Sequence, residues 1–312
     1  MLVLASCGLM AERVEPQATV LVAAKSAAWR GHTIDRPDAL AVEFTQAPPR
    51  RRGAGGVGAR PRGGAGAPPP GAGRGGAAAP PPPPPPPPPG QVGLAIMPVG
   101  GNRTTVFGDW TTGLAWSTIK VPLAVAALRR DPEGAMADAE AAITVSDNDA
   151  ADALWDSLGD GLAAAEAVQQ VLDEAGDATT GVPGPRTRLD YEAFGTTEWS
   201  LTDQVRFASR LPCLPQADAV TQLMGRITPD QGWGLGTIEG AIFKGGWGPD
   251  DETGVYLVRQ FGLVPARNGL IAVSMAAQAE SGDFTDATHL LDDMAALLAR
   301  HLDQLRGGHC AH

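Results

Sequence analysis

Hydrophobic and polar positions after residue 91 alternate between short apolar runs and longer helical stripes. Residues 92–99 read as a strand, and Gly100-Gly101-Asn102 as a turn into a second strand over about 104–107, forming an opening hairpin. Beyond Trp116 the pattern becomes an Ala/Leu-rich helix over 120–128, which ends near Arg129 and Arg130 because Asp131-Pro132 breaks it. Helices are expected over about 149–158 and 162–175, followed by a loop over 183–195. Ser200 then caps another helix, with Asp203 three residues on. Strands are predicted over 240–244, 254–263 and 270–277. A final helix over about 285–305 gathers Leu290, Leu291, Met294, Leu297, Leu298 and Leu302 on one face. Strands at both ends with helices between them predict an α+β fold: one antiparallel sheet formed from both termini, with helices packed on its faces.

Composition restricts that fold to part of the chain. Residues 48–90 are almost entirely Pro, Gly, Ala and Arg, ending in an unbroken proline run over 80–89. Such a segment buries almost nothing and extends as polyproline II, so it reads as a tether. The 312 residues therefore divide into an N-terminal segment 1–47, a disordered tether 48–90 and one catalytic-size domain 91–312. Residues 1–90 carry 10 basic and 5 acidic side chains, against 14 and 30 afterwards. A strongly acidic domain repels phosphate backbones, so no nucleic-acid partner is expected; only the Arg-rich tether could touch anionic polymers or lipids, weakly.

No stretch reaches the roughly 18–20 apolar residues of a membrane-spanning helix. Leu4-Ala5-Ser6-Cys7 resembles the lipobox of bacterial lipoproteins, in which the cysteine thiol takes a lipid anchor. Only six residues without a positive charge precede Cys7, fewer than an export signal needs, so the true start would lie upstream. The alternative is an apolar N-terminus with a chance cysteine. Lipidation of Cys7 would leave Cys213 and Cys310, an even pair that in an exported protein reads as one disulfide stapling the tail to the body. Two unpaired buried thiols remain the other possibility.

Three short motifs carry the candidate chemistry. Ser117-Thr118-Ile119-Lys120 places a hydroxyl and an amine one helical turn apart on one face. A serine hydroxyl is a weak nucleophile, and an amine activates it only when neutral; arginine cannot substitute, because it does not deprotonate. The chain has only 3 lysines against 21 arginines, and both lysines after the tether fall in motifs, which argues against solvated surface lysines. Ser146-Asp147-Asn148 lies between predicted helices, where in isolation it would read as a helix cap. Phe243-Lys244-Gly245-Gly246 ends a predicted strand, and its glycines would let a substrate lie against the strand edge.

In this order the motifs resemble the Ser-x-x-Lys, Ser-Asp-Asn and Lys-Thr-Gly signatures of class A β-lactamases and related penicillin-binding proteins. The resemblance spans about 92–305 and includes the neighbourhoods 142–151 and 187–190. It implies a β-lactamase/transpeptidase-like fold with Ser117 as the acylated nucleophile and Lys120 as its base or part of a base relay. Ser146 would pass a proton to the leaving nitrogen, and Asn148 would hydrogen-bond the substrate amide. Lys244, with Gly245, Gly246 and Trp247, would line the substrate strand, and the backbone N–H groups of Ser117 and Trp247 would form the oxyanion hole. The chain departs from the family in three places. Gly245 replaces a Thr or Ser whose hydroxyl helps hold a β-lactam carboxylate. Ser117 and Ser146 are only 29 residues apart, which implies missing helices and a more open cleft. Glu192 is a weak candidate for the deacylating base, in a stretch that lacks the Asn usual there; without such a base the acyl-enzyme would be long-lived.

Neither a His-Glu-x-x-His nor a paired Cys-x-x-Cys spacing occurs, so no metal and no cofactor are expected. Most tryptophans read as core, with Trp116 and Trp247 as candidate cleft walls. The expected protein is a monomeric serine acyl hydrolase acting on an amide or ester, a small molecule or a peptidoglycan-like substrate. It would be exported, either secreted or held at the membrane through Cys7 and facing the cell wall. The competing expectation is a catalytically degenerate protein of the same fold that binds peptidoglycan fragments or a protein partner in the cell envelope.

Overall fold

A computed structural model describes residues 89–185 and 193–311. Cys7, the tether up to residue 88, the neighbourhood 187–190 and Glu192 lie outside the described residues.

The main sheet has five antiparallel strands in the order β2-β1-β7-β6-β5. β1 (Gly90–Pro98) and β2 (Thr105–Gly108) form the opening hairpin, with Leu94 opposite Phe107. β5 (Ile242–Pro249), β6 (Tyr256–Ala266) and β7 (Gly269–Ala279) follow one another along the sheet. β1 pairs with β7 from Gly90↔Ala279 to Pro98↔Ile271, so the first strand inserts between its own hairpin partner and the last strand. The sheet is thus closed from both ends of the domain, and β5 is left as an edge.

Apolar side chains leave both faces of this sheet and bury against helices. On one face α7 (Phe284–His301) packs Leu290, Leu291, Met294, Leu297 and Leu298 onto β1, β6 and β7. On the other, α5 (Leu201–Arg210) lies between the sheet and a helical layer built around α1 (Lys120–Arg130). Residues 120–128 of α1 are all buried, as expected of a helix apolar on every side at the centre of a bundle. α2 (Met136–Thr144), α3 (Asn148–Ser157), α4 (Gly161–Glu174) and α6 (Asp218–Met224) complete that layer. Ser200 caps α5: its Oγ accepts from the Asp203 N–H at 3.0 Å and donates to Asp203 Oδ2 at 2.6 Å.

Cys213 and Cys310 are disulfide-bonded, which excludes the two-thiol alternative and ties the turn after α5 to the tail. Three expectations change. The strand predicted over 240–244 begins at Ile242 and runs on through the glycines to Pro249, because paired edge backbone tolerates residues without side chains. α7 ends at His301 rather than near 305. A two-stranded ribbon of β3 (Thr112–Leu114) and β4 (Glu198–Ser200), unanticipated because three residues give no periodic signal, braces the segment leading to Ser117. Among the described residues no helix is long and apolar enough to cross a membrane.

Candidate active site

Ser117 lies on a tight 3₁₀ turn, Trp116–Ile119, that runs directly into α1, whose first residue is Lys120. Trp116 holds φ +49°, a left-handed conformation costly for a bulky side chain. Packing enforces it: the Trp116 ring is buried against Gly248, where any Cβ would collide with it. Trp116 is therefore a buried buttress rather than the cleft wall its position in the sequence indicated.

Ser146 is the second non-glycine residue of the site with positive φ, at +61°. It sits in the turn between α2 and α3, where Asp147 Oδ1 caps α3 by accepting from the Ala150 N–H at 2.8 Å. The helix-cap reading of Ser-Asp-Asn is thus also correct, for Asp147. The turn is held from behind, since Gln231 Nε2 donates to Val145 O at 3.1 Å.

Both domain lysines are buried and meet at this turn. Lys120 Nζ donates to Ser146 O at 2.7 Å, Asp147 O at 3.1 Å and Asn148 Oδ1 at 2.6 Å. Lys244 Nζ donates to Ser146 Oγ at 3.0 Å and to Gly245 O at 2.9 Å. Ser146 therefore carries one amine on its carbonyl and the other on its hydroxyl. Burial lowers the Lys120 pKa from 10.5 to about 8, with Asp147 and Asp152 opposing the shift. Lys244 is pushed well below the usual lysine range by burial and then by the charge of Lys120.

The half-exposed Ser117 hydroxyl makes no hydrogen bond among the described residues, to Lys120 or to any other group. Three oxygens occupy the three N–H bonds of Lys120 instead, the pattern of an ammonium with every proton placed.

β5 runs alongside the serine turn. Side chains alternate across a strand, so Lys244, Gly246 and Gly248 face the turn while Gly245 and Trp247 face α7. A Cβ on Gly246 would lie 2.9 Å from Ala115 O, Ser117 N and Thr118 N, so only glycine allows this approach. On the other face, a Cβ on Gly245 would meet the Trp233 ring at 3.1 Å. The Trp247 ring is half-buried in an aromatic cluster, 5.9 Å from Trp233 and 5.7 Å from Phe284 between centroids. Its side chain leans to the α7 side, away from Ser117.

Ser117, Lys120, Ser146, Asn148, Lys244 and Gly246 are thus brought together from the start of α1, the α2–α3 turn and β5. Sequence reasoning missed Thr118, Gln204 and Arg259, all fully buried behind the turn. Burial lowers the Arg259 pKa to about 9. The available signal was Arg259-Gln260 interrupting an apolar strand between Val258 and Phe261. Among the described residues no cluster of His, Cys, Asp or Glu could hold a metal ion.

No protein-family model and no curated protein matches the chain. Solved structures share its fold. A structure titled PBP-A is 21% identical, with a TM-score of 0.53, covering 69% of this chain and 91% of its own. A class A β-lactamase from Mycobacterium abscessus is 16% identical, with a TM-score of 0.54, over 68% and 93% of the two chains. The TLA-1 extended-spectrum β-lactamase is 15% identical, with a TM-score of 0.56, over the same shares. A mutant of PBP-A is described as an acyl-enzyme complex with penicillin G. The described domain has the β-lactamase/transpeptidase-like fold.

Proposed function

We propose that this protein is a serine acyl hydrolase in which Ser117 is acylated by an amide or ester. The observation that carries the reading is the meeting of two buried, pKa-lowered lysines at one serine turn, beside a half-exposed serine. A neutral Lys120 takes the Ser117 proton as Oγ bonds to the substrate carbonyl carbon. The carbonyl C–N or C–O bond then breaks, the leaving atom takes a proton from the Ser146 hydroxyl, which Lys244 faces, and the proton gained by Lys120 restores that hydroxyl. Water hydrolyses the ester, returning the acid and the Ser117 hydroxyl. Lys120 must first lose a proton and release one of its three oxygens, which at pKa about 8 costs on the order of 1 kcal/mol at pH 7.

The edge position of β5 supports a substrate lying along residues 244–247, with the Ser117 and Trp247 N–H groups as the oxyanion donors. The disulfide supports export from the cytosol. In this reading the anchor is Cys7, the deacylating carboxylate is Glu192, and the substrate is a small molecule or a cell-wall fragment. The penicillin acyl-enzyme described for the PBP-A mutant makes a β-lactam the natural second probe. The unmade bond between Ser117 and Lys120 favours the rival, a binding protein whose site is catalytically idle.

Intact-mass spectrometry separates them, using a fluorophosphonate and, separately, a labelled penicillin on wild type and Ser117→Ala. A fluorophosphonate adduct on wild type, absent from Ser117→Ala, is the expected result, with slow or no penicillin adduct. No adduct with either probe would establish the binding protein instead.

A further inference from the structure

A chain of buried polar groups behind the serine turn takes no part in the proton transfers above. Arg259 on β6 donates from Nη1 to Gly113 O at 2.9 Å, Leu114 O at 3.0 Å and Trp199 O at 3.1 Å. Its Nη2 donates to Gln204 Oε1 at 2.8 Å. Gln204 Nε2, from α5, donates in turn to Thr118 Oγ1 at 3.0 Å. The Thr118 hydroxyl passes its one proton to Ala115 O. The chain therefore grips Gly113, Leu114 and Ala115, three successive carbonyls that lead into strained Trp116 and Ser117.

For stability alone this is a poor use of a core. No carboxylate among the described residues pairs with the Arg259 guanidinium, whose remaining contact is the Trp110 ring at 5.4 Å. A buried cation with only neutral acceptors is expensive, and apolar residues of similar volume commonly hold such a position at least as well. Hydrogen bonds do what apolar packing does not: they fix directions. A hydroxyl that accepts from an amide and donates to a carbonyl leaves the Thr118 side chain one orientation, and Thr118 neighbours the proposed nucleophile. The positive φ of Trp116 persists only where the surroundings over-determine it, and this network is such a surrounding.

We infer that Thr118, Gln204 and Arg259 are positioning residues that hold the Ser117 turn in reactive geometry. The inference rests on the acyl-hydrolase reading of Ser117. Thr118→Val keeps the shape and removes the hydroxyl, whereas Thr118→Ser keeps the hydroxyl. Gln204→Glu keeps the bond with Arg259 but presents only acceptors to a hydroxyl whose proton is already committed.

Fluorophosphonate labelling of Ser117 in the full chain is followed against probe concentration, giving a limiting rate and a half-saturating concentration, alongside thermal melting. Thr118→Val and Gln204→Glu are expected to lower the limiting rate by about tenfold or more with half-saturation unchanged. Thr118→Ser is expected to restore it. Wild-type limiting rates in both Thr118→Val and Gln204→Glu would overturn the inference while leaving the nucleophile in place. So would rate losses proportional to losses in melting temperature that Thr118→Ser shares. No labelling of wild type at Ser117 would instead remove the acyl-hydrolase reading, and this inference with it.

Discussion

Lys244 Nζ donates to Ser146 Oγ at 3.0 Å, joining residues 98 apart in sequence across the boundary between the sheet and the helical layer. Lys120 approaches the same serine from its carbonyl side. Burial shifts both amines toward their neutral forms, and the charge of Lys120 further disfavours protonation of Lys244. Surface lysines would show the reverse, long stems with hydrated heads. The architecture thus makes deprotonation accessible near neutral pH at the position where the proposed acylation needs a base.

The pH dependence of acylation follows from Lys120. Below a pKa of about 8 its amine is protonated and cannot accept the Ser117 proton, so the labelling rate should rise with pH and reach half its plateau near that value. Lys120→Arg, charged throughout this range, should lose on the order of 10²- to 10⁴-fold in rate. Labelling independent of pH between 6 and 10, or an active arginine variant, would remove Lys120 as the base.

Gly246→Ala tests the close approach of β5 to the serine turn. Its new Cβ would lie 2.9 Å from three backbone atoms of residues 115–118, and backbone cannot move as a flexible side chain can. We expect a stability loss of about 1–3 kcal/mol from overpacking and a larger proportional loss of Ser117 labelling. Gly245→Ala is the control, because its Cβ meets the Trp233 ring at 3.1 Å on the other face, away from Ser117. Equal labelling losses in the two variants would mean that this approach does not matter to the site.

Much of this was legible before any coordinates. The opening hairpin, α1, the two late strands and α7 were readable because each holds its period over many residues. Three-residue β3 and β4 and seven-residue α6 were not, since one or two apolar positions make no pattern. The motif residues stood out through lysine scarcity, a property of composition alone. Their supports did not, because Thr118, Gln204 and Arg259 look like ordinary polar residues until three elements converge around them. The absent Ser117–Lys120 bond was equally hidden: helical spacing set the separation of the two side chains, but the rotamer of Lys120 is decided by three oxygens of the 146–148 turn.

Cys213 and Cys310, 97 residues apart, close a long loop. Replacing both with serine should lower unfolding free energy by about 2–5 kcal/mol, as chain-entropy arguments give for loops of this size. Urea unfolding of the double variant measures it. The tail would still pair with Leu270 through Gly308, so the folded structure should persist. A change within error would mean that the tail is held by those backbone bonds alone.

Stability should rise with pH in an alkaline window, opposite to a protein whose lysines gain ion pairs on folding. The Lys120 pKa is about 8 when folded and 10.5 as the ordinary value, so between these limits the unfolded chain binds more protons than the folded one. Unfolding free energy then increases with pH, by up to about 1.4 kcal/mol per pH unit for one such group. Below pH 8 both states are protonated, and the full cost of burying the ammonium is present. Lys244 and Arg259, also lowered by burial, act in the same direction. Urea midpoints at pH 7.5 and 9.5 should therefore increase, and Lys120→Met should flatten the increase. A midpoint that falls over this interval would mean that the two lysines are far better solvated than their burial indicates.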